Sequence, residues 1–455
     1  MYRRSFVVGL AAMAGCSSPD ATEESPTEAR TSTDPETTIR STPTERPVSI
    51  QAEHLEDWPM HRGDPGHSGT RTPSFAASET PTVAWEHRGP GTFPTALLPT
   101  TGALFVQAYP WMVRLFDPAT GEMQTGYELP DEDDRIVRGG ALVDGTLYIG
   151  TWDSVTAFEA STGRTVWSRR VGEASFETYS EPIGGRATPA IVDDALYVHG
   201  AISGEWGLYA LDRDDGETRW RQPLPGGEPT DPVPAGETIV VANRGTGDIH
   251  ALDRTDGTLQ WTANVPPRRT QDERVGTTTP IVHRESVCVP TGAGTVRAFA
   301  AETGEAVWEY DLGTETPPAR TEWYLRATYP LAARDGRVYV GGSDGQFHAI
   351  DVASGEAVWT LSADGRAYWT TPAVTHDAVY VGNANARTDE SGNWQLGTDG
   401  RLSAVDAATG RELWTREYDG YPIDPVVGET GVFAGFVTPE VDEPVRLIKV
   451  GPENA

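Results

Sequence analysis

Asp212-Arg213-Asp214-Asp215-Gly216-Glu217-Thr218-Arg219-Trp220 is the stretch on which the fold turns, because the chain writes it again and again. It returns as Asp253 with Gly257 and Trp261, as Asp351 with Gly355 and Trp359, and as Asp406 with Gly410 and Trp414. Two copies change the first residue: Glu159 with Gly163 and Trp167, and Ala300 with Gly304 and Trp308. A further copy, Asp117 with Gly121, carries Thr125 where the tryptophan is expected. A short-range motif at a fixed long period marks a repeat architecture. Within the motif, Asp bonds backbone N–H groups two residues on and Gly accepts the positive φ of a tight turn.

Each copy has the same upstream order. Thr188-Pro189-Ala190-Ile191-Val192 opens a strand, Asp193-Asp194 turns it, and Leu196-Tyr197-Val198 returns. After a Gly-containing turn, Leu208-Tyr209-Ala210-Leu211 leads into Asp212, and Trp220 falls on a fourth strand. Short alternating runs with regular turns and no helical period predict four-stranded antiparallel units in series. Successive tryptophans from Trp167 to Trp414 stand 41 to 55 residues apart. That suits propeller blades of about 40–50 residues rather than solenoid coils. Each indole is expected to wedge between blades, burying ~150–250 Å², worth on the order of 4–6 kcal/mol by area.

The two ends of the repeat region complete one another. The last copy runs from Ile423 to Val450 and stops without a fourth strand, whereas Thr82-Val83-Ala84-Trp85 is a fourth strand without predecessors. The expectation is an all-β, eight-bladed β-propeller in which this N-terminal strand completes the C-terminal blade, closing the ring and removing sheet edges.

The net charge is −31, and Lys449 is the single lysine beside 35 arginines. Such a surface repels polyanions, which argues against DNA or RNA as a partner. It is the surface of a protein adapted to concentrated salt, where screening removes most of the self-repulsion. Two cysteines, Cys16 and Cys288, exclude a disulfide framework.

Residues 1–16 read as an export signal. Arg3-Arg4 precedes the apolar run Val7 to Ala14, and Ala14-Gly15-Cys16 has the form of a lipobox, which makes Cys16 the lipidated first residue of the mature chain. Residues 17–52, rich in Thr, Ser, Pro and Glu, cannot bury enough apolar surface to offset ordering entropy and read as a stalk. The propeller then occupies residues 53–455.

With these motifs in place, the repeat Asp-x-x-Thr-Gly-x-x-x-Trp resembles that of the pyrroloquinoline-quinone (PQQ) propeller family, over roughly residues 57–450. Asp57-Trp58-Pro59-Met60-His61-Arg62-Gly63-Asp64 is similar to the family's opening. The resemblance implies either a quinoprotein dehydrogenase or a propeller lipoprotein like that of the bacterial outer-membrane barrel-assembly machinery. The dehydrogenases carry an adjacent cysteine pair and a calcium held by Glu, Asn and Asp; the pair is missing here. Asp231 and Asp424, just before the inner strands, are the carboxylates in a position to serve, although an Asp at a strand start is commonly a turn former.

The expectation is therefore a non-catalytic, lipid-anchored binding or scaffold propeller on the extracellular face of the cell membrane, with no catalytic residue, metal or cofactor. The alternative is an oxidoreductase dependent on PQQ with calcium or on another cofactor. The candidate binding surface is the mouth where inner strands begin. Arg138, Arg186, Arg274 and Arg326 lie just upstream of four such starts, with Trp323, Tyr324, Tyr329, Tyr368, Trp369 and Tyr421 near the later ones, and Asp231 and Asp424 at two. Arginines suit carboxylate or phosphate capture and the aromatics offer stacking faces, so a protein or a small anionic ligand is the expected partner. The same arginines equally suit pairing with the plentiful Asp and Glu. Trp85, Trp167, Trp220, Trp261, Trp308, Trp359 and Trp414 are assigned structural roles.

Overall fold

The computed structural model describes residues 81–89, 94–100, 102–108, 112–128, 140–150, 154–171, 188–203, 205–265, 268–269, 274–275, 277–313, 331–341, 345–362, 366–368, 370–388, 394–396, 399–438 and 445–451. The signal-like start, the stalk-like segment and residues 57–64 lie outside them.

Consecutive strands pair antiparallel in fours. Blade one spans Pro94 to Glu128, blade two Gly140 to Arg170, blade three Ala190 to Pro223 and blade four Val233 to Asn264. Blades five and six span Ile281 to Asp311 and Leu331 to Ser362. Blade seven runs from Arg366 to Asp419 and is enlarged: its long strand Ala378–Thr388 pairs additionally with Arg366–Tyr368 and with Trp394–Leu396. Blade eight is built from both ends of the repeat region. Val445–Gly451 pairs with Val432–Val437 on one side and with Thr82–Gly89 on the other, in the register Val83↔Val450 and Trp85↔Lys449. The fold is the expected eight-bladed β-propeller, closed by the N-terminal strand.

The core lies between blades, because both faces of each inner sheet are covered. In blade three, Leu208 and Ala210 pack with Ile239, Val241 and Leu252 of blade four, while Tyr209 and Leu211 pack with Tyr148 and Ala157 of blade two. Fourth strands sit at the rim and alternate exposed with half-buried residues.

The repeated turn explains the repeated tryptophan. The indole N–H donates to the carbonyl that follows the first motif position of the next blade: Trp85 to Pro118, Trp167 to Arg213, Trp220 to Arg254, Trp261 to Ala301, Trp308 to Val352 and Trp359 to Ala407, at 2.7–3.1 Å. The ring lies flat on the motif glycine. At Gly257, φ is +76° and a Cβ would sit 2.5 Å from the Trp220 ring, so the position excludes every side chain twice over. Opposite the indole stands a small residue: Ala157, Ala210, Ala251, Ala298, Ala349 and Ala404 face Trp167, Trp220, Trp261, Trp308, Trp359 and Trp414.

Blade one departs from this pattern, as Thr125 signalled, and compensates. Leu115 stands opposite Thr125 and restores volume. Two residues on, on the same face, Tyr127 takes the clamp: its ring lies against Gly163 of blade two and its hydroxyl donates to the Ala160 carbonyl at 3.3 Å. Blade eight has no motif turn at all, since its fourth strand comes from the other end of the chain.

Candidate functional site

Every inner strand begins at the same end of the ring, so the described residues directly ahead of these strands share one mouth. Proline suits the first position because it needs no ladder N–H. The inner strands start at or directly after Pro94, Gly140, Pro189, Pro232, Pro280, Pro330, Pro372 and Pro425, one such position in each blade.

Asp231 and Asp424 occupy equivalent places, each one residue before its proline, and each reaches back to the preceding blade. Asp231 Oδ1 accepts the Thr188 amide at 3.3 Å. Asp424 accepts both the Thr371 amide and the Thr371 hydroxyl at 2.8 Å. Thr188 and Thr371 are themselves equivalent, so the same contact is made between blades three and four and between blades seven and eight. The two carboxylates stand half the ring apart in blade order. They brace neighbouring blades and do not come together as a pair. Beside Asp231, His199 Nδ1 lies 3.4 Å from the Thr230 carbonyl oxygen, and Trp206 meets the ring edge-on. Burial holds the His199 pKa below the usual histidine value, against the pull of Asp231.

Threonine is frequent at the mouth for a structural reason. The Thr230 and Thr370 hydroxyls accept the amides of Ala242 and Gly382, the last inner residues of the adjoining strands. In blade five that place is Pro290, which has no N–H; Thr277 donates to the Pro290 carbonyl at 2.6 Å, and the buried Thr278 hydroxyl has no partner among the described residues.

Of the other expected residues, Tyr421 is half-buried on a short strand opposite Val437 at the start of blade eight. Arg274 stands opposite Arg269 in a hairpin following blade four, and Tyr368 stands opposite Asn383 on the strand added to blade seven. Arg138, Arg186, Arg326, Trp323, Tyr324, Tyr329 and Trp369 lie outside the described residues.

A polar cluster that sequence reasoning missed lies at the mouth end of blade seven. Arg366 is buried to 10% exposure and reaches Asp399 at 3.4 Å and Glu417 at 3.9 Å; Arg401 holds Glu417 at 2.6 Å, and Asn385 donates to Asp399. These residues come from four strands, and no spacing in the sequence links them. Cys288 is fully buried in the second strand of blade five, where burial pushes its thiol pKa up to about 12, the state of an inert core residue. Among the described residues, no three His, Cys, Asp or Glu side chains converge on a point that could hold a metal ion.

Comparison with known proteins places this geometry. The family model for outer membrane protein assembly factor BamB matches residues 111–294 and 292–431. Quinohemoprotein alcohol dehydrogenase ADH-IIG of Pseudomonas putida is 30% identical over 158 residues, which is 34% of this chain and 21% of that protein. Outer membrane protein assembly factor BamB of Shewanella oneidensis is 27% identical over 152 residues, 31% of this chain and 33% of that protein. The matched stretches thus span between a fifth and a third of these relatives. Among solved structures, BamB from Moraxella catarrhalis is similar with a TM-score of 0.54 at 18% identity, covering 81% of this chain and 100% of that one. The Pseudomonas putida ADHIIG structure is similar with a TM-score of 0.63 at 13% identity, covering 88% and 81%. At such identities the structural likeness carries the fold.

Proposed function

The chain belongs to the PQQ-type repeat family described as outer membrane protein assembly factor BamB, and from that membership we propose that it is a non-catalytic binding propeller displayed outside the cell. The observation that carries this reading is the use made of the mouth carboxylates. A calcium ion needs six to eight oxygens, yet Asp231 and Asp424 turn theirs to Thr188 and Thr371. The cysteines, Cys16 and Cys288, are far apart in sequence. These observations support a reading without PQQ held over calcium beside a cysteine pair.

On this reading a protein or a small anionic ligand meets the loop-bearing mouth, drawn by Arg138, Arg186, Arg274 and Arg326. Cys16 carries the lipid that keeps the propeller at the outer face of the cell membrane. One acyl chain binds a membrane only marginally, so a second chain or a partner shares the anchoring.

The deciding experiment incubates the purified protein with PQQ and calcium and assays alcohols and sugars with an artificial electron acceptor. No turnover and no stoichiometric PQQ binding is expected. Bound PQQ with turnover would replace this reading by the quinoprotein dehydrogenase one, which the 30% identity to ADH-IIG favours.

A further inference from the structure

Lys449, the only lysine in the chain, sits where ring closure is made. It lies on the third strand of blade eight, directly opposite Trp85 of the closing strand and directly opposite Phe433 on its other side. Direct antiparallel partners share a face. The Trp85 ring lies on Gly121 of blade one, so Lys449 faces that blade too. Its relative exposure is 2%, and a Cβ on Gly431 would stand 2.8 Å from its Cε. Six other blades place an alanine at this register, opposite their tryptophan; blade eight alone places a side chain with a charge there.

A cation drawn largely out of water between blades is costly unless it is neutralised or loses its proton. Arginine cannot lose its proton in a protein, whereas lysine does so readily once desolvated. In a chain that uses arginine 35 times, the one lysine stands where a cation that can be discharged makes a difference. We propose that Lys449 makes closure of the ring proton-dependent: the strand Thr82–Gly89 docks most firmly when the Lys449 amine has released its proton to water, and loosens when it is charged.

The groups around the amine agree. Burial lowers the Lys449 pKa, and the carboxylate of Asp117, across the seam in blade one, opposes that shift. Asp117 is occupied with its own turn, accepting the Ala119 and Thr120 amides. The other titratable group on this face of the closing strand is His87, whose ring meets Phe116 of blade one edge-on. Glu429 lies two residues before Gly431, at the exposed turn, and Glu122 is exposed on the blade-one turn. Glu86 and Arg446 pair with each other at 3.4 Å, and Arg446 lies over Tyr418 of blade seven, on the opposite face. For a base with a lowered folded-state pKa, the unfolded or undocked strand binds the extra proton. Docking therefore strengthens as pH rises from the lowered value toward the ordinary lysine value near ~10.4.

The test is amide hydrogen exchange read by mass spectrometry on the full chain at constant salt, at about pH 7 and about pH 9.5, corrected for intrinsic rates. Protection of residues 82–89 is compared with residues 259–264, the ordinary fourth strand of blade four. In the wild type this ratio is expected to rise with pH; the full rise of about tenfold per unit of lowering is complete only above the ordinary lysine value near ~10.4, so the change read between these two pH values is a fraction of it. In Lys449→Met it should be high and flat; in Lys449→Arg, low at both pH values. A flat wild-type ratio, or a Met variant that keeps the wild-type rise, would overturn the proposal. Should the Arg variant fail to fold, the comparison of wild type with Met decides alone.

Discussion

The seam between blades three and four and the seam between blades seven and eight are fastened at opposite ends. At the first, the strong contact is on the turn side: the Trp220 indole lies on Gly257 and donates to the Arg254 carbonyl at 2.9 Å, with the Tyr197 hydroxyl reaching the same oxygen at 3.2 Å. Its mouth-side contacts are longer: the 3.3 Å bond from the Thr188 amide to Asp231 and the 3.4 Å approach of His199 Nδ1 to the Thr230 carbonyl. At the second seam blade eight offers no motif turn. There Asp424 takes two bonds of 2.8 Å from Thr371, and Tyr418 stacks on Phe436 with ring centroids 4.4 Å apart. On the turn side, Arg416 donates to the Pro81 carbonyl in the lead-in of the closing strand. The difference teaches that the ring holds each seam at whichever end the chain path allows, so one residue type at one register carries different weight around the ring.

Trp220→Ala should be the most damaging single change. It empties the turn-side clamp and leaves a cavity, with an expected loss of about 3–5 kcal/mol, read from urea unfolding. If Asp424→Ala costs more than this, the mouth side dominates everywhere and the contrast fails. Asp424→Ala is expected next, at about 1.5–3 kcal/mol for bonds to a charged acceptor. Asp231→Ala, with one longer bond and an intact tryptophan clamp beside it, should cost less by at least half. Equal losses would show that the two seams are fastened alike.

Tyr127→Phe sharpens the comparison at the seam between blades one and two. The ring stays on Gly163 and only the hydroxyl bond to Ala160 goes, so about 0.5–1.5 kcal/mol is expected. A loss as large as that of Trp220→Ala would mean that the hydroxyl, and not ring packing, holds the clamp. The smallest effect concerns acid. Burial, above all, lowers the His199 pKa in the folded state. The unfolded chain takes up a proton first, so stability is full above the ordinary histidine pKa near ~6.5 and is lost as pH falls from there through the lowered value. His199→Gln should flatten the stability profile between about pH 7 and about pH 5. An unchanged profile would assign the acid sensitivity to other groups.

Blade number, strand order and ring closure were legible because they rest on local rules written many times. The Asp turn, the positive-φ glycine and the tryptophan recur close enough in sequence to be read as one object. Even the weak copy was legible in part: Thr125 announced the missing indole, and the same-face alternation of a strand points two residues on, to Tyr127. The mouth was legible only as a place. The spacing put Asp231 and Asp424 in register, but their partners Thr188 and Thr371 are 43 and 53 residues earlier, and a contact across blades leaves no local period. The Arg366–Asp399–Glu417 cluster was invisible for the same reason. Lys449 was visible as a lone lysine, while its burial depends on the register between the two chain ends.

That register has a consequence for folding order. Thr82 meets Gly451 across 369 residues of chain, the most remote contact among the described residues, while other blades assemble from neighbours within about one repeat. Blade eight therefore cannot form until the last strand is made, and seven stacked blades must wait with an open end. Moving the chain termini to the Asp193-Asp194 turn, with a short linker joining residues 451 and 82, would convert that remote pairing into a hairpin. A circularly permuted ring of this kind keeps every sheet but moves the long search to blade three, where Ala190–Val192 must then pair with Ala195–Ile202 from the opposite chain end, so the position of the termini sets which blade closes last.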